Sequence, residues 1–367
     1  MREEVFVYVG TYTQPVLFGT GNVLVGKGEG IYCYKMDSET GELTYLFVTE
    51  NVPNPSYLTL SSCGSFLYCV NELKEYEGLA SGAASAFAVE EGGQLRFLNS
   101  RATGGTDPCY ISVNTKNTHV AVSNFMSGSV CVFPVEKDGS LGERVFFAQH
   151  EGKSLHPLRQ QGPHAHSAVF DREEKYAFVP DLGIDKIVVY ETDFSGAGLK
   201  KGPPPVSVTA GAGPRHCVFH PSGRYCYVIN ELELSVSAFE YDGKGFLIHR
   251  QTVSLVPDGV DRSGSIGADI GILPNGKYLY ASVRGLDTLS ILEITSEGFL
   301  SLRENVSSRG KTPRSFAITA EGSYLLVANQ DTNNLVVFRI DSQWGSLDEV
   351  FETHIPTPVC VRPFLRR

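Results

Sequence analysis

The chain has 367 residues, 42% hydrophobic and 20% charged, the balance of a chain that buries a full core, which excludes extended disorder. Its formal charge of -10, with no basic run longer than the terminal Leu365-Arg366-Arg367, repels phosphate backbones and excludes nucleic acid as a partner. No stretch approaches bilayer length, and the acidic MREEVFVYVG start lacks a signal h-region, so a cytoplasmic protein without membrane contact is expected.

VFVYVGTYT (5–13) alternates as a strand does. FGTGNVLVGKGEG (18–30) has the glycines of a phosphate loop but neither its GK[ST] ending nor a following helix, and reads as a loop before GIYCYKMD. From residue 54 one unit recurs: NPSYLTLSSCGSFLYCVNEL (54–73), DPCYISVNTKNTHVAVSNF (107–125), GPHAHSAVFDREEKYAFVPDL (162–182), GPRHCVFHPSGRYCYVINEL (213–232), IGADIGILPNGKYLYASVRGL (266–286) and TPRSFAITAEGSYLLVANQ (312–330). Each opens at a Pro, or at Gly267 in the fifth, in steps of 53, 55, 51, 53, 46 and then 45 to Pro358. A period near 50 indicates an array or propeller. Two runs joined by a PSG-type turn, a third such as DKIVVYE and a fourth such as GQLRFLNS make a four-stranded blade. Six units are whole. The seventh is split between TPVCVRPF (357–364) and the N-terminal strands. The expectation is an all-β, seven-bladed β-propeller over residues 1–367, one domain, closed by the C-terminal strand in the N-terminal blade. The eight cysteines form no CxxC pair and are expected reduced and buried.

In such a hairpin the residue opening the first strand and the residue closing the second share one rim. Opening positions hold Ser56, Cys109, His166, Arg215, Ala268 and Arg314; closing positions hold Glu72, Phe125, Leu182, Glu231, Arg284 and Gln330. Arginine is seldom buried without a partner, so this set is either a network tying blades together or an anion site. Its rigid fork suits phosphate or carboxylate. His164 and His166, two apart in RQQGPHAHSA, face one side of an extended chain. A metal would need three or four converging ligands, and arginines repel a cation, so none is expected. A histidine beside Arg and Glu moves protons instead.

HPLRQQGPHAHSAVF, VPDLGIDKIVVY, GPRHCVFHPSGRYCYVINEL and GADIGILPNGKYLYASVRG, with VYVGTYT, resemble the seven-bladed propeller lactonases, which include 6-phosphogluconolactonases and carboxymuconate cyclases. The resemblance implies His166, Arg215, Glu231 and Arg284 as the catalytic set, the four that the rim positions also gather; beside them His164, Arg159, Arg314, Gln330, Glu72 and Asp269 are substrate-binding candidates. It implies a cofactor-free hydrolase of a small anionic sugar-acid lactone, 6-phosphogluconolactone above all, working in the pentose phosphate pathway; a monomer or weak homo-oligomer is expected. Arg215 or Arg284 would stabilise the oxyanion, and His166 or Glu231 would take a proton from water. The alternatives are a lactonizing cyclase acting on an unsaturated diacid, and a non-enzymatic propeller that binds a protein, which predicts an apolar exposed patch where this set gathers charge.

Overall fold

A computed structural model describes residues 4–17 and 21–366. Phe18 to Thr20 of the glycine-rich stretch and Arg367 of the basic terminus lie outside them. In the first repeat, Tyr57–Leu60, Phe66–Asn71, Ala83–Val89 and Leu95–Ala102 pair antiparallel in chain order. The described residues hold seven such antiparallel sheets, one of them with Val206–Ser207 added as a fifth strand, and one short hairpin, Val16–Leu17 with Val23–Leu24. The first two strands of a repeat meet at a turn whose last residue is left-handed. Gly64, Gly223, Gly276 and Gly322 take it at φ 68°, 72°, 72° and 75°, which costs glycine nothing. Asn117 and Glu174 take it at φ 55° and 52° where no glycine is present.

The ring closes as the split seventh repeat predicts. Pro358–Arg366 is the innermost strand of a sheet continued by Glu4–Thr11, Gly30–Met36 and Leu43–Glu50, in register from Glu4 opposite Arg366 to Gly10 opposite Cys360. Apolar side chains fill the space between blades, and tyrosines staple it. Tyr8, Tyr227 and Tyr280, all fully buried, donate to the carbonyls of Gly93, Gly298 and Gly345 at 2.8, 3.1 and 2.9 Å, each in a turn of the following blade.

The glycine-rich stretch differs from a plain loop in its short hairpin, and its glycines serve packing. A Cβ on Gly28 would sit 2.1 Å from Thr11 Oγ1, and one on Gly26 would sit 2.6 Å from the Tyr12 backbone. The amides of Lys27 and Gly28 are spent on Thr357 Oγ1, at 3.0 and 3.1 Å, so they offer no cradle for a phosphate. All eight cysteines are free; seven are buried and Cys63 is exposed.

Candidate active site

The rim geometry starts from a dipeptide. Asn54, Asp107, Gly213, Thr312 and Thr357 each precede a proline and each adopts positive φ, from 40° to 67°. This conformation turns the carbonyl back, so that Asn54, Asp107, Gly213 and Thr312 accept the amides of Glu72, Phe125, Glu231 and Gln330 at 2.7 to 3.0 Å. Opening and closing positions are thereby locked together in four blades. Asparagines precede four closing residues, at 71, 124, 230 and 329, and point into the blade. The alternation of a strand then sends the closing side chain the other way.

Four of the six opening residues sit in β-bulges. Pro108 pairs with Asn124 and Tyr110 with Ser123, which leaves Cys109 as the extra residue; Arg215 and Arg314 sit in the same break, and Ala268 with Asp269 in a wider one. A bulge re-aims side chains and is common beside active sites. Consecutive residues such as Arg215 and His216 therefore both face the centre of the ring.

At the rim eight of these twelve opening and closing residues line a cleft of ≈ 570 Å³, with Ser56, Leu182, Arg215 and Ala268 outside its lining. Glu231 is its electrostatic centre. Oε2 lies 3.1 Å from Arg215 Nε and 2.9 Å from Arg284 Nη2, and Oε1 lies 2.5 Å from Arg159 Nη2. Burial alone would raise the Glu231 pKa, but the guanidiniums of Arg159, Arg284 and Arg215 outweigh it and hold the carboxyl well below its usual range. Three cations on one carboxylate leave this knot with an excess of two positive charges. The opposite wall is balanced: Glu72 accepts from Tyr12 at 2.9 Å and lies 3.9 Å from Arg314.

His166 is 5% exposed and lines the cleft. Burial first, then the cation of Arg215, the neighbouring His216 and Arg314 push its pKa well below 6.5, so at neutral pH it is an uncharged imidazole able to accept a proton. Its Nδ1 lies 3.5 Å from Cys109 Sγ, a thiol that burial keeps protonated. Behind it His216 Nδ1 donates to Asp269 Oδ1 at 2.9 Å. Burial and Arg215 lower His216 to about 4. Burial would raise Asp269, but the His216 hydrogen bond prevails and brings it to about 2, so the pair is a neutral imidazole with a carboxylate.

Of the ten residues singled out in the sequence, His166, Glu231, Arg284, Arg159, Arg314, Gln330 and Glu72 line the cleft. Three stand outside the lining. Arg215, 3% exposed, lies behind Glu231, where Nη1 donates to the Ala268 carbonyl. His164 stacks on Phe125, with ring centroids 4.6 Å apart, and its Nδ1 lies 2.9 Å from the Phe125 carbonyl oxygen. Asp269 is committed to His216 and to the Phe316 amide, 3.2 Å away. His156, Tyr12, Thr312 and His216 escaped notice in the sequence. Only the bulge and the loop conformation bring them here, and neither has a residue signature beyond the Pro-Arg-His run at 214 to 216. Among the described residues no three His, Cys, Asp or Glu side chains converge as a metal site requires, and no helix is long and apolar enough to cross a membrane.

Residues 6–363 match the model of the family described as lactonase, 7-bladed beta-propeller. The chain belongs to the seven-bladed β-propeller lactonase family. It is 36% identical over 359 residues to a 6-phosphogluconolactonase of Bacillus subtilis strain 168, covering 97% of each chain. A 6-phosphogluconolactonase of Formosa agariphila is 35% identical over 332 residues, 88% of this chain and 92% of that one. The solved periplasmic gluconolactonase of Pseudomonas aeruginosa superposes with a TM-score of 0.90 at 32% identity, over 98% of this chain and 99% of its own.

Proposed function

We propose that the protein hydrolyses a sugar-acid lactone bearing an anionic group, with 6-phosphogluconolactone as its substrate. The observation that carries this reading is the Glu231 knot, where three guanidiniums share one carboxylate and leave a positive surplus beside a neutral, buried histidine. A lactone carbonyl attacked by water becomes an oxyanion, which preorganised donors stabilise more strongly than the starting carbonyl. Arg284 lines the cleft and supplies that donor. His166 takes the proton as water attacks and returns it to the ring oxygen as the C–O bond breaks, leaving an acid and an alcohol. Glu231 is too strongly held as a carboxylate to serve as the base. It orients Arg284, and Arg215 fixes Glu231 from behind.

The relatives' names support a lactone substrate, and the charge of the cleft supports an anionic one. Free cysteines throughout favour a reducing compartment, so we place the protein in the cytoplasm. The deciding experiment is hydrolysis of freshly generated 6-phosphogluconolactone by purified protein, followed by acid release against the spontaneous rate. A rate no faster than the spontaneous one, at micromolar protein, would overturn the proposal.

A further inference from the structure

Three of the four guanidiniums around the cleft are built into strands: Arg215 in Pro214–Phe219, Arg284 in Tyr278–Arg284 and Arg314 in Pro313–Ile318. Arg159 alone is carried by a loop, the strap of residues 151–163 that joins two blades. The strap is pinned at both ends by one fully buried carboxylate. Asp181 Oδ2 lies 2.6 Å from His150 Nδ1, and Oδ1 accepts the His164 amide at 2.6 Å. Its middle is held by Gln160, 1% exposed, whose side chain donates to the Leu182 carbonyl at 2.8 Å and accepts the His156 amide at 2.9 Å. The backbone that delivers Arg159 is therefore fixed, and what remains free to move is its side chain.

Two features of this strap suit an anion. His156 Nδ1 accepts the amides of Leu158 and Arg159 at 3.3 and 3.2 Å, which places its proton on Nε2 and makes the imidazole a donor; His156 lines the cleft with Arg159. Arg159 also contacts only Oε1 of Glu231, while Arg215 and Arg284 both hold Oε2. Withdrawing Arg159 leaves Glu231 paired twice, so a ligand can claim that guanidinium without stranding a buried charge.

We propose that the 151–163 strap is the substrate-selecting element of the cleft, in which Arg159 releases Glu231 Oε1 to bind, together with His156, a phosphate monoester distal to the lactone ring. This rests on the lactonase reading for the ring and adds which residues choose the phosphorylated substrate. Arg159 and His156 are specificity residues here, while Arg284 and His166 serve the reacting carbonyl.

The test compares wild type, Arg159→Gln and His156→Asn. The asparagine keeps an acceptor for the strap amides and removes the Nε2 donor. For each protein, kcat/KM is measured on 6-phosphogluconolactone and on glucono-δ-lactone, and equilibrium binding on 6-phosphogluconate and gluconate. Arg159→Gln is expected to lower the phosphorylated-to-unphosphorylated ratio by roughly 10- to 100-fold, mainly through KM, and His156→Asn by roughly 10-fold, as charge-assisted hydrogen bonds predict. Ratios unchanged in both variants overturn the proposal, as does an equal loss on both substrates. If wild type hydrolyses neither lactone, the lactonase reading fails. The binding ratio for the two acids then decides the strap by itself: selectivity lost in the variants supports it, and no selectivity in wild type overturns it.

Discussion

The neutral state of His166 rests on its surroundings, and that gives the proposed base a pH signature. Burial comes first among the causes that lower its pKa, and the Arg215 cation second. The base form therefore persists below pH 6.5, and the acid limb of kcat/KM is expected below that value. Arg215→Gln removes the cation and should move this limb upward, besides lowering the rate; a limb that stays in place would detach Arg215 from His166. His166→Asn should lower kcat by about 100- to 10,000-fold with little change in KM, the range of a general base. Hairpin spacing alone suggests that Glu231 matters to chemistry and hardly to stability. The structure changes that expectation, because Glu231 is 2% exposed beneath three guanidiniums. Glu231→Gln should cost roughly 3–5 kcal/mol of stability, as breaking a buried ionic cluster does, and also lower turnover. Denaturant unfolding and kinetics on the same preparation check both losses, and full stability would show that the cluster relaxes.

At the scale of strands, the rim is legible because a proline marks the opening of every repeat but the fifth, which opens at Gly267, and the PSG-type turns align the hairpins. Those two markers lead to six of the seven chosen residues that line the cleft, Arg159 of the strap being the seventh. What stayed hidden follows from the bulges, which are backbone events. Strict alternation turns His216 away from the face that Arg215 occupies, and only the unpaired residue between Pro214 and His216 lets both look inward. The same break directs Asp269 onto His216, where sequence reasoning had given it to the substrate. The extended HAH run does put both rings on one face, since His164 and His166 both pack on Phe125 at ring-centroid distances of 4.6 and 5.1 Å, but His164, whose amide is clamped by Asp181, stands outside the cleft lining that His166 joins. The tyrosine staples recur with the blades and give an independent prediction. Tyr227→Phe and Tyr280→Phe each leave a glycine carbonyl without its donor and should each cost about 1 kcal/mol. They sit in different blades with different partners, so the double variant should lose the sum at unchanged turnover. A loss in turnover would couple the staples to the cleft.

For the whole molecule, we propose that residues 1–367 unfold as one unit, because the last strand of the chain is the innermost strand of the first blade and no blade sequence closes the ring without it. Acid should expose this dependence in a defined order. His166 and His216 are both held below the ordinary 6.5, so in the folded ring they are neutral where in the unfolded chain they would already be protonated. Falling pH then favours the unfolded state from about 6.5 downward, and the effect of His216 ends near its folded value of about 4. Each such histidine steepens the loss by up to about 1.4 kcal/mol per pH unit. Glu231 and Asp269 are lowered as well, but a lowered carboxyl acts in the opposite sense: both stabilise the fold above their ordinary carboxylate values and withdraw that support only below them. Calorimetry from pH 8 to 4.5 should therefore show one transition, with Tm nearly flat to pH 7 and falling below 6.5, before any of these carboxylates titrates. A Tm level down to pH 4.5 would mean that the two imidazoles are charged or hydrated in the folded ring, and two separate transitions would mean that the blades do not melt as one body.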